Sequence, residues 1–287
     1  MGSNVSGPSA GAPPGPPPAG PHYVPLLAAI LVVGPIRRLP DPLLYENIRG
    51  TLIGGLQADA VVFWVLSEPN CAAEHIPCVY GRGDLAGAEA SLRPAATLWL
   101  TQKEQRNVSC PGLDATMHEH IVYGARKRAA AYALALAYEA AHSVTFDWFA
   151  VTGTDRMYLR PWPALCTLGR GALYSSENHP DVSYLVPREG AAHAFSILAE
   201  YDRCTPPFSY RDPGIPESFF REYIGRAMPV HGHAYFDIMA KARPVLLAAA
   251  RIYAHHPPSS CSLVHVVAGL RAAWVSFWEG RQMRAYA

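Results

Sequence analysis

The sequence predicts a single α/β domain built on a Rossmann-like, mostly parallel sheet, with a helical C-terminal third. Three observations carry that prediction. Leu26–Val33 and Ala60–Leu66 are continuous apolar runs, the pattern of strands buried on both faces. Between them, Ile48, Leu52, Ile53 and Leu56 share one face of a helix spanning Tyr45–Leu56. Strand, helix, strand is the unit of a parallel sheet with a right-handed crossover. Half of the 287 residues are hydrophobic and only 16% are charged, ample material for a buried core.

Along the chain, residues 1–22 are nearly all Pro, Gly, Ala and Ser. Such a segment buries too little apolar area to offset its ordering entropy, so a flexible arm is expected there, with one domain over 23–287. The Gly-rich, Cys-bearing stretch Pro69–Leu92 reads as loop, and Ala95–Leu100 as a third strand. Met117–His142 is the clearest helix: Ala-rich, with Val122, Ala125, Ala129, Tyr132, Leu136 and Ala140 at three- and four-residue spacing. Phe146–Val151 reads as a further buried strand and Val182–Val186 as another. Helices are expected over Ala191–Tyr201, Glu217–Arg226, Tyr235–Arg243, Pro244–Tyr253 and Leu263–Trp278.

Charge excludes some partners. The formal net charge is +1, which argues against a nucleic-acid binder. The basic triplet Arg126, Lys127, Arg128 reads as a solvated helix face. The six cysteines form no C-x-x-C pair and read as buried thiols, although Cys71 and Cys78 are close enough to pair in an oxidising compartment. Leu26–Val33 is too short to span a bilayer and lacks the basic flank of a signal peptide. No transmembrane segment and a cytoplasmic location are therefore expected. The sequons at Asn4 and Asn107 matter only on a secretory route, which stays open.

In an open α/β sheet, ligands bind at the carboxyl ends of the strands. Two such ends carry chemistry. Gly34-Pro35-Ile36-Arg37-Arg38 joins a glycine, which permits close backbone approach, to arginines able to grip a phosphate. Thr152-Gly153-Thr154-Asp155 places a carboxylate just after a buried strand, a ligand type that magnesium or manganese accepts beside a diphosphate. The G-x-G-x-x-G dinucleotide fingerprint, the G-x-S-x-G elbow and the H-E-x-x-H pattern are all absent. Among the paired histidines, His231 and His233 are the best placed for a strand H-x-H chelate, because spacing of two puts both on one strand face.

The order of these pieces resembles a known family. A strand ends in Gly34-Pro35-Ile36-Arg37, a helix carries Glu46-Asn47, and Ala58-Asp59-Ala60-Val61-Val62-Phe63 follows. Then come Tyr138-Glu139, Phe146-Asp147-Trp148, Asp155, and Asp181-Val182-Ser183-Tyr184-Leu185-Val186-Pro187-Arg188. Over about residues 24–200 this resembles a group of glycosyltransferase-like proteins found in plants, algae, bacteria and large DNA viruses. The resemblance implies a GT-A-type nucleotide-sugar fold and sugar transfer from a nucleotide-diphosphate donor to a glycan or other hydroxyl acceptor. It places Gly34 and Arg37 at the nucleotide end. It puts Asp155 beside the donor diphosphate and a divalent manganese or magnesium ion, and Asp181 near the sugar or acceptor, as a base. The chain departs from the pattern where two family arginines fall on Val151 and Gly153, and where Arg156 replaces a hydrophobic residue after the aspartate. A D-x-D pair is also missing. That departure motivates an alternative, a non-catalytic binding protein that kept the fold. A metal-dependent hydrolase using His231, His233 and an aspartate is the third reading.

Overall fold

The computed structural model describes residues 25–68, 80–101, 115–158, 160–176, 182–202, 216–233 and 237–239. The sheet starts from the most apolar segments. Strand β1, Leu27–Pro35, has Ala28, Ala29, Ile30, Leu31 and Val32 wholly buried. It pairs in parallel with β2, Asp59–Ser67, on one side and with β4, Trp148–Gly153, on the other. Strand β3, Ala96–Trp99, continues the parallel set beyond β2. On the far side, β7 (Tyr184–Pro187) runs antiparallel to β4; β6 (Leu173–Ser176) pairs with β7, and β8 (Val230–His233) with β6. The seven-stranded sheet thus has the order β3-β2-β1-β4-β7-β6-β8 and is parallel except where β7 enters. A separate ribbon pairs β5, Arg156–Tyr158, with β9, Asp237–Met239.

Helices cover both faces, as strands with no polar side require. The segment after β1 is α1, Pro42–Asn47, opened by Asp41, whose carboxylate accepts from the Leu43 N–H, with Pro42 in the first turn. It runs on as a π-helical stretch, Ile48–Ile53, and a last turn α2, Gly54–Leu56. Together with α3, Ala86–Leu92, it buries Leu44, Ile48, Leu52, Leu56, Leu85 and Ala88 against Ile30, Val32, Trp64 and Ala150. The opposite face carries α4, Ala115–His142, with α5 (Arg188–Phe195), α6 (Ile197–Asp202) and α7 (Pro216–Gly225). There Val122, Ala125, Ala131 and Ala135 of α4 pack on Leu31, Phe63, Val65, Phe149 and Val151. The small alanines let the helix sit close to the large sheet aromatics.

The structure shows the α/β class and the mostly parallel sheet, and corrects several local expectations. The expected helix Tyr235–Arg243 contains instead the strand β9, because pairing with Arg156–Tyr158 overrides local periodicity. The end of the expected loop Pro69–Leu92 is helical. Its glycines concealed a start at Arg82–Leu85, where the Asp84 carboxylate accepts from the Gly81 N–H at 2.8 Å. The helix expected over Ala191–Tyr201 breaks at Ser196, whose hydroxyl bonds back to the His193 carbonyl at 2.9 Å. The basic triplet is not a solvated face: Lys127 and Arg128 are buried. Cys166, expected to be buried, is exposed and free. The expected arm 1–22, the expected helices Pro244–Tyr253 and Leu263–Trp278, and the remaining cysteines lie outside the described residues. Among the described residues, no helix is long and apolar enough to cross a membrane.

Candidate functional site

The chain leaves β1 toward the α1 face and reaches β4 from α4 on the other face. The strand order reverses between these two neighbours, β1 leading to β2 on one side while β4 lies on the other, and open α/β sheets bind ligands outside the carboxyl ends of the strands at such a switch point. Here those ends are Gly34–Arg38 and Thr154–Asp155, brought side by side by the register Val33↔Gly153.

Local chemistry holds the two turns together. Gly34 has φ +146°, and a Cβ on it would lie 2.7 Å from the Thr154 hydroxyl oxygen. Only glycine permits that approach. The Thr154 hydroxyl in turn donates to the Pro35 carbonyl. Arg37 then stands at φ +36°, in the left-handed region. Of the four non-glycine residues with positive φ among those described, Gln57, Arg93 and Ser143 each follow a helix, and Arg37 alone lies in this turn. Strain of about 1–3 kcal/mol at such a residue persists only where its surroundings enforce it. Arg37 Nη1 donates to Asp155 Oδ2 at 2.7 Å, and its side chain keeps 24% of its surface exposed while that of Asp155 keeps 6%. Arg156 Nε lies 3.6 Å from the other carboxylate oxygen. A buried carboxylate thus sits between two guanidinium groups, one of which still faces solvent.

The Asp155 turn is braced from below. Asn47, at the junction of α1 and the π-helical stretch, accepts from the Tyr158 N–H at 2.7 Å and donates to the Tyr158 carbonyl at 2.8 Å. The Tyr158 hydroxyl reaches Thr152 at 2.6 Å and Ser183 at 3.1 Å. All three hydroxyl residues are buried, so the network fixes the end of β4 against β7.

A second polar cluster lies at the opposite end of the sheet. Arg188 grips both Glu139 oxygens, at 2.5 and 3.2 Å, and Glu139 also accepts from the Phe146 N–H at 2.6 Å. Asp147 accepts from the Leu27 N–H at 3.0 Å and from Arg170 at 2.6 Å. The Glu139 hydrogen bond raises the Arg188 guanidinium above its ordinary value, and Asp147 does the same for Arg170. Burial raises Tyr132, with Arg188 pulling the other way. Glu139, Asp147 and Arg188 therefore staple the amino ends of β1 and β4 to α4 and α5.

The structure brings Gly34, Arg37 and Asp155 together. It does not bring His231 to them. Register aligns His231 with Tyr174, Leu185 and Ala150, so it lies three strands from β4, at about 4.8 Å per strand, and five residues short of the Asp155 level. Its ring lies tilted against that of Tyr174, with centroids 5.5 Å apart. Asp181 and the His233 side chain lie outside the described residues. Among the described residues, no three His, Cys, Asp or Glu side chains are grouped to hold a metal. Sequence reasoning missed Tyr158, Ser67 and Lys127 as parts of the strand-end architecture. The buried cations on α4 gave no sequence signal, because a basic triplet on an Ala-rich helix looks solvated. No protein-family model and no curated protein matches the chain.

Proposed function

We propose that the chain is a glycosyltransferase-like protein with a GT-A-type fold that takes a nucleotide-diphosphate sugar into the crevice between β1 and β4. The observation that carries this reading is the Arg37–Asp155 contact across the two strand ends, at the position where open α/β sheets bind ligands. The mixed sheet, with one antiparallel strand beside β4, is compatible with that fold.

The departure at Gly153 has a local compensation. A Cβ at Gly153 would lie 3.1 Å from Arg156 Cγ, so the Arg156 side chain occupies the room that a residue-153 side chain would need. Its guanidinium supplies a cation beside Asp155. On this reading Arg37, partly exposed, contacts the donor phosphates bidentately. Gly34 lets the β1 backbone approach the nucleotide. The bond from the sugar anomeric carbon to the phosphate oxygen breaks, its electron pair leaving on the diphosphate. The acceptor oxygen bonds that carbon and gives its proton to a carboxylate, assigned to Asp181 where the reaction inverts. Manganese or magnesium beside Asp155 requires displacement of Arg37 from a carboxylate already matched by two guanidinium groups.

Thermal-shift measurements with a panel of nucleotide sugars, with and without manganese, test the proposal. At least one donor is expected to stabilise the chain, and Asp155→Ala and Arg37→Ala are expected to reduce that shift. Absence of stabilisation by every donor removes the reading. The ion-paired, buried state of Asp155 favours a second reading, a binding protein without transfer activity. Its signature is donor stabilisation without release of nucleoside diphosphate in the presence of acceptors.

A further inference from the structure

The carboxyl end of the sheet continues past the β1 turn onto β2 and β3, and there it carries an open polar cluster that the proposed crevice does not use. Ser67 closes β2 and turns inward, taking the Lys127 ammonium of α4 on its hydroxyl at 2.7 Å. Glu68, the next residue, is exposed. Its Oε1 accepts from Arg82 Nε at 2.7 Å, and the Glu68 and Arg82 side chains keep 56% and 53% of their surface open to solvent. The Arg82 guanidinium lies 3.8 Å over the ring of Trp99, which ends β3 and packs against the core beneath it.

Arg82 is thus held in one geometry by an ion pair and a cation–π contact, so a ligand meets it with much of its rotamer entropy already lost. Its Nε is used, but its two Nη groups make no hydrogen bond or ion pair among the described residues, and Glu68 Oε2 is equally open. Gly81 and Gly83 flank Arg82, and no described atom lies within 4 Å of where a Cβ on either would stand. The cluster is therefore reachable from solvent.

A carboxylate only accepts and a guanidinium only donates. Side by side their charges offset, so the pair suits a neutral group better than another anion. A hydroxyl both donates and accepts, and a vicinal diol bridges the two: one hydroxyl donates to Glu68 Oε2 while its neighbour accepts from an Arg82 Nη. Position says which diol. Ser67 pairs with Pro35, and its carbonyl accepts from the Ile36 N–H at 3.0 Å, so Glu68 stands one strand spacing, about 4.8 Å, from the turn that carries Arg37. From β3 to β4 the strand ends read Trp99, Glu68, Arg37, Asp155. A ribose whose 5′-phosphate lies on the β1 turn has its diol within reach of β2. We propose that Glu68 and Arg82, seated on Trp99, form a subsite for the 2′,3′-diol of a ribonucleotide. The inference rests on the crevice proposed above and adds to it a selection for ribonucleotides over deoxyribonucleotides.

The test is titration calorimetry of the full chain with the common ribonucleoside diphosphates and their 2′-deoxy counterparts. At least one ribonucleotide is expected to bind, about tenfold or more tightly than its deoxy form, the worth of one hydrogen bond to a charged group. Glu68→Ala is expected to bring the ratio of ribo to deoxy affinity close to one; the ratio cancels any general effect of losing a surface carboxylate. Arg82→Ala is expected to shrink the same preference, while Arg226→Ala, a surface cation paired with Glu222, preserves it. Thermal melts check each variant. Where Arg82→Ala does not fold, Glu68→Ala, at an exposed position, carries the test. Absence of binding by every nucleoside diphosphate overturns the subsite. So does equal affinity for the ribo and deoxy forms, or a preference that survives Glu68→Ala. A preference that depends on Glu68, without stabilisation by any nucleotide sugar, keeps the subsite and removes the donor reading. Nucleotide sugars that bind alike in ribo and deoxy form do the reverse.

Discussion

The Arg37 guanidinium meets the Asp155 carboxylate at 2.7 Å across 118 positions of sequence, joining the carboxyl ends of two adjacent parallel strands. The contact has a structural consequence as well as the proposed chemical one. Asp155 is buried, and with Arg156 it forms a three-residue charge group. Removing the central carboxylate leaves two guanidinium groups facing each other, whereas removing Arg37 leaves Asp155 with Arg156.

Asp155→Ala is therefore expected to destabilise the chain more than Arg37→Ala does, by about 2–3 kcal/mol against about 1 kcal/mol. Arg37→Ala does not relieve the left-handed backbone, since alanine keeps the Cβ whose steric penalty glycine escapes. Arg37→Gly is thus expected to be the more stable of the two Arg37 variants. Urea unfolding of the three variants and of the double variant checks this. A coupling energy near zero in the double-mutant cycle contradicts the pairing.

The staple at the other end of the sheet makes the opposite separation. Glu139 takes the Arg188 fork and the Phe146 N–H, and both of its oxygens are used. Glu139→Ala orphans the buried Phe146 N–H and leaves the Arg188 guanidinium only the Phe146 carbonyl and solvent. A loss of about 2–4 kcal/mol is expected, larger than for Arg188→Ala, which leaves Glu139 its backbone partner. Neither substitution should change donor binding in the surviving folded protein. Chemical denaturation supplies the first comparison and calorimetric titration the second; a large affinity change would assign Glu139 to the site rather than to the frame.

These two clusters also show what was legible in the sequence. Strands β1, β2 and β4 were readable because burial on both faces writes an unbroken apolar run. Arg37 and Asp155 were readable because each follows such a run. Strands β5, β6 and β9 span three or four residues each, too few for a period to register, and pairing decides them. Lys127 failed for a different reason. Its neighbours in sequence are Arg126 and Arg128, and nothing in a run of three cations says which of them turns inward to a strand end. The sequence motifs grouped Glu139, Asp147 and Arg188 with Asp155 without separating frame from site. The structure separates them by the length of the sheet.

Tyr132 offers a test by pH. Its ring stacks on Phe195 with centroids 4.5 Å apart, and burial raises its phenol above the ordinary value of 10.0. Arg188 opposes that rise and Glu139 adds to it. A group whose folded value is raised contributes stability that is whole below its unfolded value and is lost as pH climbs through the folded value. The neutral phenol should therefore support the fold fully up to about pH 10 and less above it. Urea unfolding at pH 8 and at pH 11 is expected to show a smaller alkaline loss for Tyr132→Phe than for the wild type. Equal losses would mean that the Tyr132 phenol ionises as readily folded as unfolded.

Gly34→Ala tests the close approach at the β1 end. The new Cβ would meet the Thr154 hydroxyl oxygen at 2.7 Å, on a residue whose φ of +146° alanine rarely adopts. Both penalties act at once, so a loss of about 2–4 kcal/mol is expected, reaching beyond the upper end for a strained backbone alone. The displacement needed to relieve the contact moves Thr154, and Thr154 is bonded to the Pro35 carbonyl next to the turn that carries Arg37. Ligand binding should therefore weaken along with stability. A second variant distinguishes the causes: Thr154→Ser in the Gly34→Ala background keeps the hydroxyl and its clash, whereas Thr154→Ala removes the clashing oxygen and leaves only the backbone penalty. Partial recovery of the melting temperature with Thr154→Ala but not with Thr154→Ser assigns the loss to steric contact between the two strand ends. Equal melting temperatures in all three backgrounds would show that the backbone conformation of Gly34 carries the whole effect.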